Sequence, residues 1–420
     1  MEFDVVKVRR VMAEIGLALA PTSIALGMIA KLLAGNMFLG NLLMAMGLLM
    51  AFPFHRLLER VSLNKLIGIM FFLLLAFVYY FVSKYDDTNF LVYMGVSLFY
   101  CVSLLFSKYD EDFNLDNVIN YLWLFSLIFV LGGFASFATG KINILENVMA
   151  WNDEGDKIYD GLTMGSMAIT QIVCSCHLLS KERFGKKVKA LLLLAVFLDF
   201  VLIIFTVKRT PLLIAMVAVL IYFKRLGYLR PTPQKIIAIS IITVAILAYV
   251  VSNSEIMDAL MLLFDETVTG LGNLLSGNHT GHGLTNSTDM RLDNRDYAFE
   301  LLRNFDVLNV CIGTGYMTFW CDIPLLQAFL DMGLIGFVFY AFYILFLPLW
   351  TLFKYRNNAT LFFYGMLAIY GALSCVTSGH PYANARWMPV CLLCYAIYAS
   401  QKEGIKESEI TTEDETLHNI

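Results

Sequence analysis

The chain has 420 residues, 59% of them hydrophobic, 14% aromatic and only 15% charged, with a mean hydropathy of +0.68. Soluble domains carry about 25% charged residues, so this composition leaves too little polar surface for a water-soluble fold. A net charge of −4 gives no electrostatic footprint for nucleic acid, and an integral membrane protein is what remains.

A hydrocarbon core about 30 Å thick takes roughly 20 residues of helix at about 1.5 Å each. Twelve apolar runs qualify: residues 11–33, 35–53, 65–83, 89–107, 117–140, 160–180, 188–207, 210–223, 236–252, 323–352, 360–378 and 383–400. The 210–223 run is short, and 323–352 is long enough to be tilted or broken. Lipid admits only helices or closed barrels, and no strand-like alternation competes. The expected fold is therefore an all-α integral membrane protein of about 12 transmembrane helices, with one large outer loop containing short helices. Helices 1–9 fall in residues 1–252, the loop in 253–321, helices 10–12 in 322–400, and a polar, acidic, disordered tail in 401–420. No cleaved leader is expected, because the first run is long enough to span and lacks a small-residue cleavage site.

Lysine and arginine placement sets the orientation. With the amino terminus inside, two-thirds of the 30 basic residues fall in cytoplasmic loops and tails, and both termini are cytoplasmic. The large loop then faces outward. It holds nine acidic residues against Arg291, Arg295 and Arg303, a net charge of −6, so its arginines are individual placements rather than a basic patch.

Six of the eight cysteines lie in apolar runs, where thiols act as small hydrophobes; Cys311 and Cys321 flank the loop's end and are close enough in sequence for a disulfide if that side is oxidising. Neither Cys174-Ser-Cys176 nor Cys391-x-x-Cys394 has the partners of a metal site, and no cofactor is expected.

In "FTVKRTPLL", Lys208 and Arg209 stand beside Pro211, which suits the first turn of a helix. Helix starts attract anions; the competing reading is basic side chains reaching for headgroups. Arg291 and Arg295 are four apart and share a helix face, where they fit a phosphate bidentately or are neutralised by Asp289, Asp293 and Asp296. "CIGTGY" places Gly313 and Gly315 in a tight turn. Asp322 sits at the outer edge of the next span and Asp331 about two turns deeper, and an acid inside a span is costly. Asp199 and Glu14 raise the same question; for Asp199 an interhelical hydrogen bond is the favoured reading. His279, His282 and His380 are candidate bases near neutral pH, and Arg386 lies close to His380 in the last outer turn.

Taken in order, three segments resemble the bacterial O-antigen ligase and polymerase superfamily with its Wzy-type polymerases. "VKRTPLL" matches the family's arginine after a polar turn, at Arg209; "MRLDNRDYAFELLRNFDVLNVCIGTGY" matches its loop arginine before a Gly-x-Gly, at Arg291; "DIPLLQAFLDMGLIGF" matches its final motif, with Asp322 first. Ligases usually have histidine where this chain has Asp322, and many polymerases have aspartate. The family's following asparagine is Ile323 here, and the aromatic usually four after the loop arginine is Arg295.

The resemblance implies a metal-independent glycosyltransferase of the bacterial inner membrane, multi-pass, with its active site facing the periplasm. It would polymerise undecaprenyl-diphosphate-linked repeat units in O-antigen or related surface polysaccharide synthesis. Its partners are then the lipid-linked glycan donor and acceptor and membrane lipid, with room for a chain-length regulator. Arg209, Arg291, Asp322 and His282 are the catalytic candidates; Lys208, Arg295, Gly313, Gly315, His380 and Arg386 are the substrate-binding ones. A ligase, or a flippase for the same lipid-linked sugar, is the alternative. A transporter, however, usually shows repeated halves and midplane binding residues, whereas here charge gathers at one face.

Overall fold

In the computed structural model, the described residues are 4–35, 38–57, 59, 64–83, 88–108, 111–140, 161–181, 184–206, 209–227, 286–317, 319–321, 323–375 and 379–417. Among them the regular elements are helices, and no strand is formed. They are α1 (Val5–Ala34), α2 (Phe38–Ala51), α3 (Leu66–Ser83), α4 (Thr88–Phe106), α5 (Leu115–Ala138), α6 (Gly161–Leu179), α7 (Lys186–Phe205) and α8 (Arg209–Arg225). After the undescribed stretch come α9 (Asn286–Arg303), α10 (Val307–Ile312), α11 (Pro324–Tyr340), a π-helical stretch (Ala341–Phe346), α12 (Leu347–Lys354), α13 (Ala359–Leu367), α14 (Ile369–Ser374) and α15 (Asn384–Leu417).

Five of these segments are long and apolar enough to cross a bilayer: Val5–Ala34, Leu66–Ser83, Leu115–Ala138, Lys186–Phe205 and Pro324–Lys354. Shorter apolar helices cover Phe38–Ala51, Leu91–Phe106, Thr163–Leu179 and Ala359–Ser374. The chain is thus an all-α protein of membrane-embedded character. The expected run at 236–252 and residues 253–285 of the large loop lie outside the described residues. At the carboxyl end α15 continues through residue 401 to Leu417, a stretch rich in Glu, which is a good helix former even without an apolar face.

The long 323–352 run is indeed interrupted, twice. Met332 (φ −125°, ψ 15°) and Gly333 (φ 60°, ψ −154°) leave helical geometry, and Ala341–Phe346 widens to a π-helix just before Pro348. Proline has no N–H to give and its ring crowds the carbonyl four residues back; a wide turn relieves that crowding.

Buried tyrosines tie helices together by donating to backbone carbonyls, which suits rings that are apolar with one polar tip. Tyr364 reaches Leu115 O at 3.0 Å, Tyr343 reaches Lys65 O at 2.9 Å and Tyr100 reaches Leu17 O at 2.7 Å. Glu14, which has no evident partner in the sequence, accepts from Asn114 N at 2.9 Å and Asn117 Nδ2 at 3.1 Å, with Arg10 at 3.5 Å. At the same end, buried Arg56 spreads its guanidinium over Asp112 (2.6 Å), Glu111 (2.6 Å) and Glu59 (3.0 Å).

Candidate functional site

The opposite end is organised by the break in α11. Once Met332 and Gly333 leave the helix, the carbonyls just before them need new donors, because an unsatisfied backbone group is costly away from water. The "CIGTGY" turn supplies them. Thr314 N donates to Leu330 O at 2.8 Å, Gly315 N to Asp331 O at 3.1 Å, and Thr314 Oγ1 again to Leu330 O at 3.0 Å.

Two glycines make that approach feasible. Gly313 (φ 78°) and Gly333 (φ 60°) both lie in the left-handed half of backbone space. A Cβ on Gly313 would run into the Asp331 carbonyl, and one on Gly333 into the backbone of Cys311. The last turn of α3 clasps the other side: Tyr79 OH donates to Ile312 O at 2.6 Å, and Tyr316 N donates to Ser83 Oγ at 2.7 Å.

The Asp331 carboxylate is the hub. Fully buried, it accepts from Gln327 Nε2 at 2.7 Å, Tyr382 OH at 2.7 Å and Met317 N at 3.1 Å. Gln327 stands one turn earlier on the same helical face. It zips the preceding segment down by donating to Phe319 O at 2.7 Å and accepting from Cys321 N at 2.8 Å. Tyr382 packs against the Tyr316 ring at 4.7 Å. The sequence singles out Asp331; Gln327 is legible only as its i−4 neighbour, and Tyr382 has no signal at all.

The helix that carries Arg291 and Arg295 is seated on this platform. Ala298 of α9 is buried in a small cluster with Cys321 and Leu330, and Tyr297 lies 4.7 Å from the Phe319 ring. Arg295 gives Nε (3.0 Å) and an Nη (2.8 Å) to Asp296, the local neutralisation that is the plainer reading of this arginine. Arg291 occupies the second turn of α9.

Arg209 opens α8, whose other end places Tyr222 against Phe362 of α13 at 5.3 Å. Because α8 also packs on α14, its start lies toward Ser374, at the same end as the turn. There Leu325 N donates to Cys375 O at 3.0 Å. Pro211 in the first turn of α8 fills the space that a side chain on Gly165 of α6 would need.

Arg386 is buried, with one Nη donating to Gly371 O at 3.0 Å and Ser374 Oγ at 2.7 Å. Those contacts hold the carboxyl end of α14. His380 is half-buried beside Trp320, their rings 5.9 Å apart. Burial, with the Arg386 charge adding to it, pushes its imidazole down to about 3, so it is neutral at pH 7 and a weak base. Asp322, His282 and Lys208 lie outside the described residues. Cys311 and Cys321 are not joined in a disulfide, the first exposed and the second buried. Among the described residues no group of three His, Cys, Asp or Glu is arranged to hold a metal.

No family model, curated protein or solved structure matches this chain.

Proposed function

We propose that this protein polymerises lipid-diphosphate-linked oligosaccharide units, transferring glycan from an undecaprenyl diphosphate donor to a sugar hydroxyl on a second lipid-linked unit. The observation that carries this reading is positional. The helix start at Arg209 and the helix bearing Arg291 and Arg295 lie at one end of the bundle, around the Gly313–Tyr316 turn docked into broken α11. In this reading that end faces the periplasm across the bacterial inner membrane, as the basic-residue bias expects, and both termini are cytoplasmic.

The chemistry follows from charge. The leaving diphosphate gains negative charge as the glycosidic C–O bond breaks, and fixed guanidinium groups at a water-poor boundary stabilise charge that develops there. The acceptor hydroxyl passes its proton to a nearby base, for which Asp322 and His282 are the candidates by sequence; His380 is too weak a base at neutral pH.

Arg209→Ala and Arg291→Ala are each expected to abolish chain extension while the protein stays at wild-type level in the membrane. Lipid-linked single repeat units then accumulate at the outer face. Full-length polymer from both variants would overturn the assignment. Single units trapped at the inner face would instead mark a flippase, and normal polymer left untransferred would mark a ligase.

A further inference from the structure

A second unusual site lies on α7, ten residues before Arg209. Asp199 stands in the middle of α7, fully buried, and neither carboxylate oxygen has a hydrogen-bond partner among the described residues. The interhelical bond expected from the sequence is therefore not formed there. A lone charged side chain inside a membrane helix is costly even on the most permissive scale, and an unpaired carboxylate has nothing to offset it.

Asp199 does not stand alone in being unpartnered. His177 Nε2 on α6 and the Tyr222 hydroxyl on α8 are also buried without a hydrogen bond among the described residues, as is Asp116 Oδ1 at the start of α5. The rings of His177 and Tyr222 rest on consecutive residues of α13, at 4.9 Å from Phe363 and 5.3 Å from Phe362. Four residues beyond His177, Lys181 pairs with Asp116 at 3.1 Å, where Asp116 is half-exposed. The titratable groups that face Asp199 are the thiols Cys174 and Cys176 of α6. Tyr222 of α8 acts on the same two thiols, with Arg225 one turn further along. From α5, α7 meets Gly133 at Leu202 and Phe134 and Phe137 at Phe205, none of them titratable. Among the described residues no cation is found facing the carboxylate.

We propose that Asp199 is an exchangeable proton-binding site within the helical bundle. The ligand is a proton rather than a metal ion, since among the described residues no three His, Cys, Asp or Glu side chains are grouped to hold a metal. Protonation removes the charge that no neighbour among the described residues balances, and the carboxyl end of α7, six residues on, is the shorter way out for the proton. The inference is independent of the glycan reading, because it needs neither Arg209 nor Arg291.

The test uses the whole protein in lipid nanodiscs and a fluorescent naphthyl carbodiimide, which reacts with protonated carboxylic acids in apolar surroundings. An adduct on Asp199 is expected in peptide mass spectra. Labelling should fall by about tenfold per pH unit above the site's titration point, as for one proton. Asp199→Glu should retain the labelling and Asp199→Asn should lose it, with thermal melting as the check on folding. Infrared difference spectra give a readout that needs no probe: wild type should show the carbonyl stretch of a protonated acid at low pH, absent from Asp199→Asn. Absence of both the adduct and the stretch overturns the proposal. A stretch that never changes with pH also overturns it, because Asp199 would then be a permanently neutral structural group.

Discussion

The Tyr100 hydroxyl donates to the Leu17 carbonyl at 2.7 Å, four residues before Pro21 in the middle of α1. A residue at position 21 with an N–H would ordinarily serve that carbonyl; proline cannot. Tyr100, from α4, makes up the deficit inside the bundle, where water does not reach. Tyr100→Phe is therefore expected to destabilise by about 0.6–1.7 kcal/mol, the range seen for hydrogen bonds in membrane proteins. In a Pro21→Ala background the carbonyl regains its helical donor, and the same change should cost much less. A double-mutant cycle on melting temperature in detergent checks this, and equal penalties in the two backgrounds would refute it.

The turn docked into α11 makes a sharper demand. Gly313→Ala and Gly333→Ala each force a side chain into left-handed backbone space and into the opposing main chain. Strain of about 1–3 kcal/mol at each position is expected from the backbone alone, with the overlap adding to it. The turn should lift off the helix, and the observable is Cys321, which is fully buried. Its maleimide reactivity in intact membranes should rise severalfold in either variant, whereas Gly35→Ala, at a position with open space around it, should leave it unchanged.

The span pattern was open to sequence reasoning because it depends on a sum. Twenty apolar residues in a row have one cheap environment, whatever their order, and Leu66–Ser83 or Lys186–Phe205 emerges within a few residues of where hydropathy places it. Interruptions depend on partners instead. Gly333 differs from any other membrane glycine only because the chain at Cys311–Gly315 comes back to meet it, and nothing near residue 333 announces that. Asp331 stood out as an acid in a span, but whether it was a ligand or a clasp turned on Tyr382, fifty-one residues away. Arg386 and Arg56 look alike in sequence to a solvated arginine, and only packing shows that both are committed inside the protein.

Asp331 accepts three hydrogen bonds, which makes its substitution diagnostic. Asp331→Asn keeps the shape but turns one accepting oxygen into a donor, so either the Tyr382 hydroxyl or the Met317 and Gln327 N–H groups lose their acceptor. Leaving a buried donor unsatisfied costs about 1–3 kcal/mol. Tyr382→Phe alone should be milder, and the pair should be non-additive, since the phenol and carboxylate form one network. Additive losses in melting temperature would mean that the bond between them contributes nothing.

At the far end, Arg56 is the group on which an ionic cluster with Asp112, Glu111 and Glu59 turns. Burial works against its charge, but hydrogen bonds to Asp112, Glu111 and Glu59 outweigh burial and raise the guanidinium above its ordinary value. Removing one partner from a buried pair leaves the other charge exposed to a poor solvent, so Arg56→Ala should cost about 3–5 kcal/mol. Arg56→Lys should recover only part of that, because one ammonium cannot reproduce a fork spread over three carboxylates. The acid side of the same cluster has a defined sign. The Lys108 ammonium, aided by Arg56 against a burial penalty, holds Glu59 below its usual value of 4.5. A depressed carboxyl adds stability that is fully present above the unfolded value and drains away as pH falls through the folded one. Melting temperature should therefore hold from neutral pH down to about 4.5 and drop below it, and Glu59→Gln should remove a small part of that drop because the side chain is exposed and screened. A Glu59→Gln variant that loses stability equally at neutral and acid pH would show that the carboxylate's charge is not what Lys108 and Arg56 hold.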